Sequence, residues 1–156
     1  MVEIKIKNSG VIQLELYPDQ APKTVANFEK LVKEGFYDGL TFHRVISGFM
    51  IQGGDPLGNG MGGSDKNIYG EFAANGFANP ISHKRGVISM ARAQDPNSAS
   101  SQFFIMHADG EFLDGNYAAF GKVVTGMEEV DKIAAVATNA MDMPLEKQVI
   151  EYIKLV

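Results

Sequence analysis

Cysteine is absent from the 156 residues, which excludes disulfides, thiolate metal sites and cysteine nucleophiles. Positive charge is also scarce. There are 14 Lys and Arg against 19 Asp and Glu, a net charge of −5 and a pI near 5.1. Sequence-independent binding of nucleic acid needs a basic face, and this balance argues against one. No apolar run reaches the roughly 20 residues of a membrane-spanning helix. The opening stretch, MVEIKIKNSG, has no signal-peptide core and runs directly into a strand pattern, so a cytoplasmic location is expected. What is present is the composition of a soluble globular protein, 45% hydrophobic and 21% charged. The length suits a single domain, 1–156, with a proper core.

Val2, Ile4 and Ile6 alternate with charged residues, Asn8-Ser9-Gly10 signals a turn, and Ile12, Leu14 and Leu16 alternate again, which predicts a β-hairpin. Pro22 opens a helix at the position where its missing N–H costs nothing. Val25, Phe28, Leu31 and Val32 form that helix's apolar stripe, and Gly35 suits its C-terminal end. Further strands are predicted at 41–46, 49–54, 86–92, 101–106, 118–124 and 147–155, and a second helix at about 127–136. Pro56 to Pro80, rich in Gly and Asn, reads as long loops. Many short strands with only two helices point to an antiparallel barrel rather than a βαβ sheet.

Several patterns carry less chemistry than they first suggest. Residues 58–63, GNGMGG, match G-x-G-x-x-G, but no helix opening follows to hold a pyrophosphate, so a flexible surface loop is the better reading. His43, His83 and His107 are scattered without metal-ligand spacing. Asp109, Glu111 and Asp114 do not fit a calcium loop. Ser89, Ser98, Ser100 and Ser101 lie in no G-x-S-x-G elbow. No metal or other cofactor is expected.

One arginine stands out. Arg44 sits inside FHRVISGFMIQGGD, residues 42–55, a stretch otherwise apolar or small except for Gln52 and the flanking His43 and Asp55. Its charge is permanent and is rarely buried without a partner. With a turn at Ser47-Gly48, Met50 and Gln52 share one face of the following strand, and Gln102 and Phe104 share one face of another. Phe103 and Ile105 point the opposite way. One face of each strand is uniformly apolar, and the other mixes Arg, Gln, Met and Phe. Residue by residue, an ordinary half-exposed barrel surface is the better explanation of that mixed face.

Four blocks narrow the choice. FHRVISGFMIQGGD, GNGMGG, GVISMARAQDPNSASSQFFI and FLDGNYAAFGKVVTGM, in this order, resemble the cyclophilin family of peptidyl-prolyl cis-trans isomerases, most of all its short bacterial members. The resemblance covers essentially the whole chain. It implies a mainly β fold, an eight-stranded antiparallel β-barrel capped by two α-helices, with a packed interior and a groove on the outside. It implies isomerisation of X-Pro bonds in aid of protein folding, by a monomer, on proline-containing peptides and unfolded or partly folded proteins. Neither nucleic acid nor membrane is an expected partner. Arg44 matches the family's catalytic arginine, with Gln52 beside it to orient it. Phe49, Met50, Gly60, Gln102, Phe104 and Leu113 match its pocket. Ala91, Arg92 and Ala93 match the segment that pairs its backbone with the substrate.

Three positions depart from the commonest family pattern. Phe112 stands where many members have tryptophan, Tyr117 where many have histidine in the socket, and Arg92 where many have asparagine. Phe112 and Tyr117 keep aromatic walls, so isomerase activity is expected to persist. Binding of the cyclic peptide cyclosporin is expected to be weak, because the missing indole N–H normally bonds that ligand. Two rival readings are a proline-peptide docking module without catalysis and a small hydrolase using Ser, His and Asp.

Overall fold

The predicted alternation at the N-terminus builds the first ladder. In the computed structural model, which describes all 156 residues, β1 (Val2–Ile6) pairs antiparallel with β2 (Val11–Leu16). Val2, Ile4, Ile12 and Leu14 are wholly buried on the inner face while Glu3, Lys5 and Gln13 face outward. Helix α1 (Pro22–Lys33) follows, with Pro22 in its first turn. No side chain at Ala21 caps it. The Glu71 carboxylate, from a distant loop, takes that role and accepts the N–H and hydroxyl of Thr24, both at 2.7 Å. Gly35 lies just beyond the helix end at φ +70°, where a side chain would be strained.

The remaining strands are β3 (Phe42–Ile46), β4 (Met50–Gly53), β5 (Val87–Met90), β6 (Phe103–Met106), β7 (Ala119–Thr125) and β8 (Ile150–Leu155). Helix α2 (Met127–Ala134) lies between the last two, and single 3₁₀ turns form at Ala73–Asn75 and Glu111–Leu113. The strands join in one antiparallel sheet in the order β3-β4-β6-β5-β7-β2-β1-β8. Its two ends meet: Thr41 bridges Val149, Phe42 N–H donates to Gln148 O at 2.9 Å, and Ile150 N–H donates to Leu40 O at 2.7 Å. The eight-stranded barrel with two helices is therefore the fold. Several strands are shorter than predicted. Phe49 belongs to the Ser47–Phe49 turn, and Gly54 and Gly86 take positive φ at strand ends.

The interior is a single cluster of 28 buried residues, with Phe28 of α1 packed among the rings of Tyr37, Phe103 and Phe120 at 5.2 to 5.6 Å. Truncating such a ring costs about 3–5 kcal/mol. Strands β5 and β6 are buried on both faces, which the alternation alone does not require. Their outward residues join a second cluster of Met50, Val87, Phe104, Met106, Leu113 and Ala119. This small apolar layer outside the barrel is the ground on which the groove is built.

Candidate active site

A β-bulge aims Arg44. In the β3–β4 ladder Phe42 faces Gly53 and Arg44 faces Gln52, so His43 is an extra residue with no partner of its own. Without the bulge Phe42 and Arg44 would share a face. With it, Phe42 and Val45 both enter the core, while Arg44 turns outward and stays exposed. Its Nη1 lies 3.4 Å from Gln52 Oε1, a long hydrogen bond, and it has no carboxylate partner.

Beside Arg44 lies a hollow of about 130 Å³ lined by Arg44, Phe49, Met50, Gln52, Ala91, Arg92, Phe104, Leu113 and Tyr117. Met50 and Phe104 are neighbouring outward residues of β4 and β6, and Leu113 reaches in from the Glu111–Leu113 turn. Phe104 is held from two sides. The imidazole of His83 stacks on it at 6.0 Å, and Tyr117 meets it edge-on at 5.7 Å. Behind the ring, His83 Nδ1 lies 2.9 Å from Asp114 Oδ1 and Nε2 lies 2.9 Å from Ser89 Oγ. That order reproduces a Ser-His-Asp relay, but Ser89 and His83 are completely buried, so no substrate carbonyl can reach the hydroxyl. Burial lowers the His83 pKa against the opposing pull of Asp114.

A second, polar hollow of about 220 Å³ adjoins the first and shares Gln52, Ala91 and Arg92 with it. Gly60, Met61, Gly62, Ala93 and Gln102 line it. A chain of amides connects its wall to Arg44. Gln102 Nε2 donates to Gly60 O at 3.1 Å and to Gly62 O at 2.7 Å, and its Oε1 accepts from Gln52 Nε2 at 2.9 Å. Gln52 is thereby turned so that its Oε1 faces Arg44.

The Gly-rich loop is not free, as the sequence reading supposed. The buried carboxylate of Asp55 accepts the N–H groups of Leu57, Asn59 and Gly60 at 2.6 to 3.1 Å and fixes the loop that carries Gly60 and Gly62. Burial alone would raise the pKa of Asp55, and these N–H donors outweigh it and hold it below the usual range. Asp55 was missed as a positioning residue. The signal was an aspartate immediately before a Gly/Asn-rich loop, whose side chain can satisfy turn N–H groups.

His43, 5% exposed, lies between this loop and the ladder, and burial lowers its pKa. His107 sits elsewhere, accepting from Gly48 N–H and lying 3.1 Å from Asp131. Another hollow of about 230 Å³, between His43 and the Met143-Pro144 segment, contains none of the predicted residues.

The three departures fall into two groups. The Arg92 guanidinium is sandwiched between the rings of Phe72 at 4.8 Å and Tyr117 at 4.9 Å, so two of the unusual residues form one stack. It donates to the carbonyls of Asn116, Ala93 and Gln94. The backbone N–H and C=O of Arg92 are unused within the chain. Phe112 is different. It is 71% exposed and rests against Phe49 at 5.6 Å, on the rim and outside both hollows, because the 3₁₀ turn sends Leu113 inward and its neighbour out.

No helix of the protein is long and apolar enough to cross a membrane. The sequence model described as cyclophilin type peptidyl-prolyl cis-trans isomerase matches residues 1–155. A peptidyl-prolyl cis-trans isomerase of Schizosaccharomyces pombe is 45% identical over 148 residues, 94% of each chain. Peptidyl-prolyl cis-trans isomerase B of Bacillus subtilis is 50% identical over 123 residues, 79% of this chain and 82% of its own. Among solved structures, a cyclophilin type isomerase of Cryptosporidium parvum, crystallised in the presence of the dipeptide Ala-Pro, superposes with a TM-score of 0.91. It is 34% identical over 99% of this chain and 98% of its own. On sequence and on fold alike, the chain belongs to the cyclophilin-type peptidyl-prolyl cis-trans isomerases.

Proposed function

We propose that the protein isomerises X-Pro bonds by seating the proline ring on Met50, Phe104 and Leu113 and stabilising the twisted amide with Arg44. The barrier is about 18–20 kcal/mol and comes from delocalisation of the nitrogen lone pair into the carbonyl. No bond is broken, so neither nucleophile nor acid–base pair is required. Twisting localises the lone pair, and the nitrogen becomes a better acceptor. An Arg44 N–H aimed at it binds the twisted state more strongly than the planar one, and that difference is the catalysis. The observation that carries this reading is Arg44 itself, unpaired at the edge of an apolar socket and faced by Gln52. A planar guanidinium also presents two donors at fixed spacing, which a lysine would not.

The unused N–H and C=O of Arg92 support pairing of an extended peptide alongside the socket, on the Ala91–Ala93 segment. Proline-containing peptides and partly folded proteins are the substrates we propose, in a cytoplasmic monomer. An isomerisation assay on an X-Pro peptide, by NMR exchange or protease coupling, tests the activity. A docking module would bind the peptide without accelerating exchange.

A further inference from the structure

The charged side chains that line the groove have the opposite sign from the molecule's net charge. The protein carries a net charge of −5, yet the only charged side chains lining the two connected hollows are Arg44 and Arg92. Neither lies within ion-pair distance of a carboxylate, whereas Lys84, Arg85, Lys132 and Lys154 each have one. The nearby acids keep their charge but line neither hollow, and each faces partners of its own. Asp55 is held by loop N–H groups, Asp114 by His83 and Ser82, and Asp95 by Asn97 N–H.

Arg92 stands where the two hollows meet, lining both. The Phe72 and Tyr117 rings and three carbonyl oxygens fix its guanidinium in place. These neutral partners orient the charge without cancelling it, so the side chain has less rotamer freedom to lose when a ligand arrives. Successive residues of an extended peptide advance about 3.3 Å, so with proline in the socket, side chains one or two positions away pass within reach of this charge.

Taking the X-Pro isomerase reading as given, we propose that Arg92 is a specificity-determining residue. It makes the groove favour peptides that carry an acidic side chain within two residues of the proline. In a concave, partly apolar site the field of two unpaired arginines is focused, and a preference of about threefold to tenfold is expected.

The test is a set of short peptides with one central proline. Each carries Glu, Gln or Lys at one of the flanking positions, and kcat/KM is measured at about 0.02 M and about 1 M salt. At one or more positions the Glu peptide should outrun the Gln peptide by that factor and the Lys peptide should trail. The ratio should close towards one at high salt. In Arg92→Gln the Glu-to-Gln ratio should fall to less than half, and Arg92→Lys should keep most of it. Because the readout is a ratio within each variant, a general loss of rate does not obscure it. Should Arg92→Gln fail to fold, Arg92→Met, which keeps an apolar stem between the Phe72 and Tyr117 rings without the charge, takes its place and should show the same fall in the ratio. A ratio of one at every position at low salt overturns the proposal, as does a ratio unchanged by salt or undiminished in folded Arg92→Gln. A wild-type protein that accelerates none of the peptides overturns the isomerase reading instead.

Discussion

Arg44 and Gln52 stand directly opposite each other across the β3–β4 ladder, joined by a hydrogen bond of 3.4 Å that is too long to hold the guanidinium firmly. The bulge at His43 aims the arginine, and its donors stay open to a ligand. Because Arg44 is exposed and outside the core, Arg44→Ala should leave the circular dichroism spectrum and the cooperative melt nearly unchanged. Turnover of an X-Pro peptide should fall by about tenfold to a thousandfold, the loss expected for one transition-state donor. Wild-type rates in the folded variant would rule out the mechanism.

Gln102 should matter through Arg44 rather than through the substrate alone. Its amide links the carbonyls of Gly60 and Gly62 to Gln52, and removing it leaves the Gln52 amide free to turn away. Gln102→Leu should lower kcat/KM by about fivefold to thirtyfold, the equivalent of about 1–2 kcal/mol. In an Arg44→Ala background the same substitution should cost much less, since coupled residues are not additive. An undiminished effect in the double variant would break the proposed chain.

Much of this site was legible as alternation. Met50 with Gln52 and Gln102 with Phe104 fall on the outer face as period two requires, with Ile51, Phe103 and Ile105 in the core. Three features were not. The bulge at His43 carries no glycine to mark it, and it shows only in the register against β4. The Asp55 cradle exists only once residues 57–60 have folded back over the carboxylate. The stack of Phe72, Arg92 and Tyr117 joins residues far apart in the chain that only barrel closure brings together. For the bulge and the stack, tertiary pairing decided the use of the parts; the Asp55 cradle is local, and the aspartate before a Gly/Asn-rich loop was its signal.

Acidification should destabilise the protein before its carboxylates titrate. His43 and His83 are buried, and burial lowers both pKa values below 6.5. Below pH 6.5 the unfolded chain therefore takes up protons that the folded chain refuses, so stability falls as pH falls. Each withheld proton contributes a slope of up to about 1.4 kcal/mol per pH unit. Above that window these two groups contribute nothing to the slope. Urea midpoints should drop between about pH 6.5 and about pH 5, and the drop should shrink in His43→Gln. A midpoint that does not move across this range would mean that both imidazoles accept protons in the folded state.

A substitution at Phe112 should separate inhibitor binding from turnover. It sits on the rim against Phe49, outside the hollow that Met50, Phe104 and Leu113 line, so changing it disturbs neither the socket nor the core. A phenyl ring keeps the apolar surface of an indole but lacks its N–H donor. One hydrogen bond of about 1–2 kcal/mol corresponds to about fivefold to thirtyfold in affinity. Phe112→Trp should therefore tighten cyclosporin binding by that factor in titration calorimetry while changing peptide isomerisation only modestly, and the melting temperature should stay close to that of the wild type. Equal affinity in the two proteins would shift the cause of weak binding from the rim to the Arg92–Tyr117 stack. Arg92 and Tyr117 line the hollow itself, and there the same titration on Tyr117→His would be the one to show the gain.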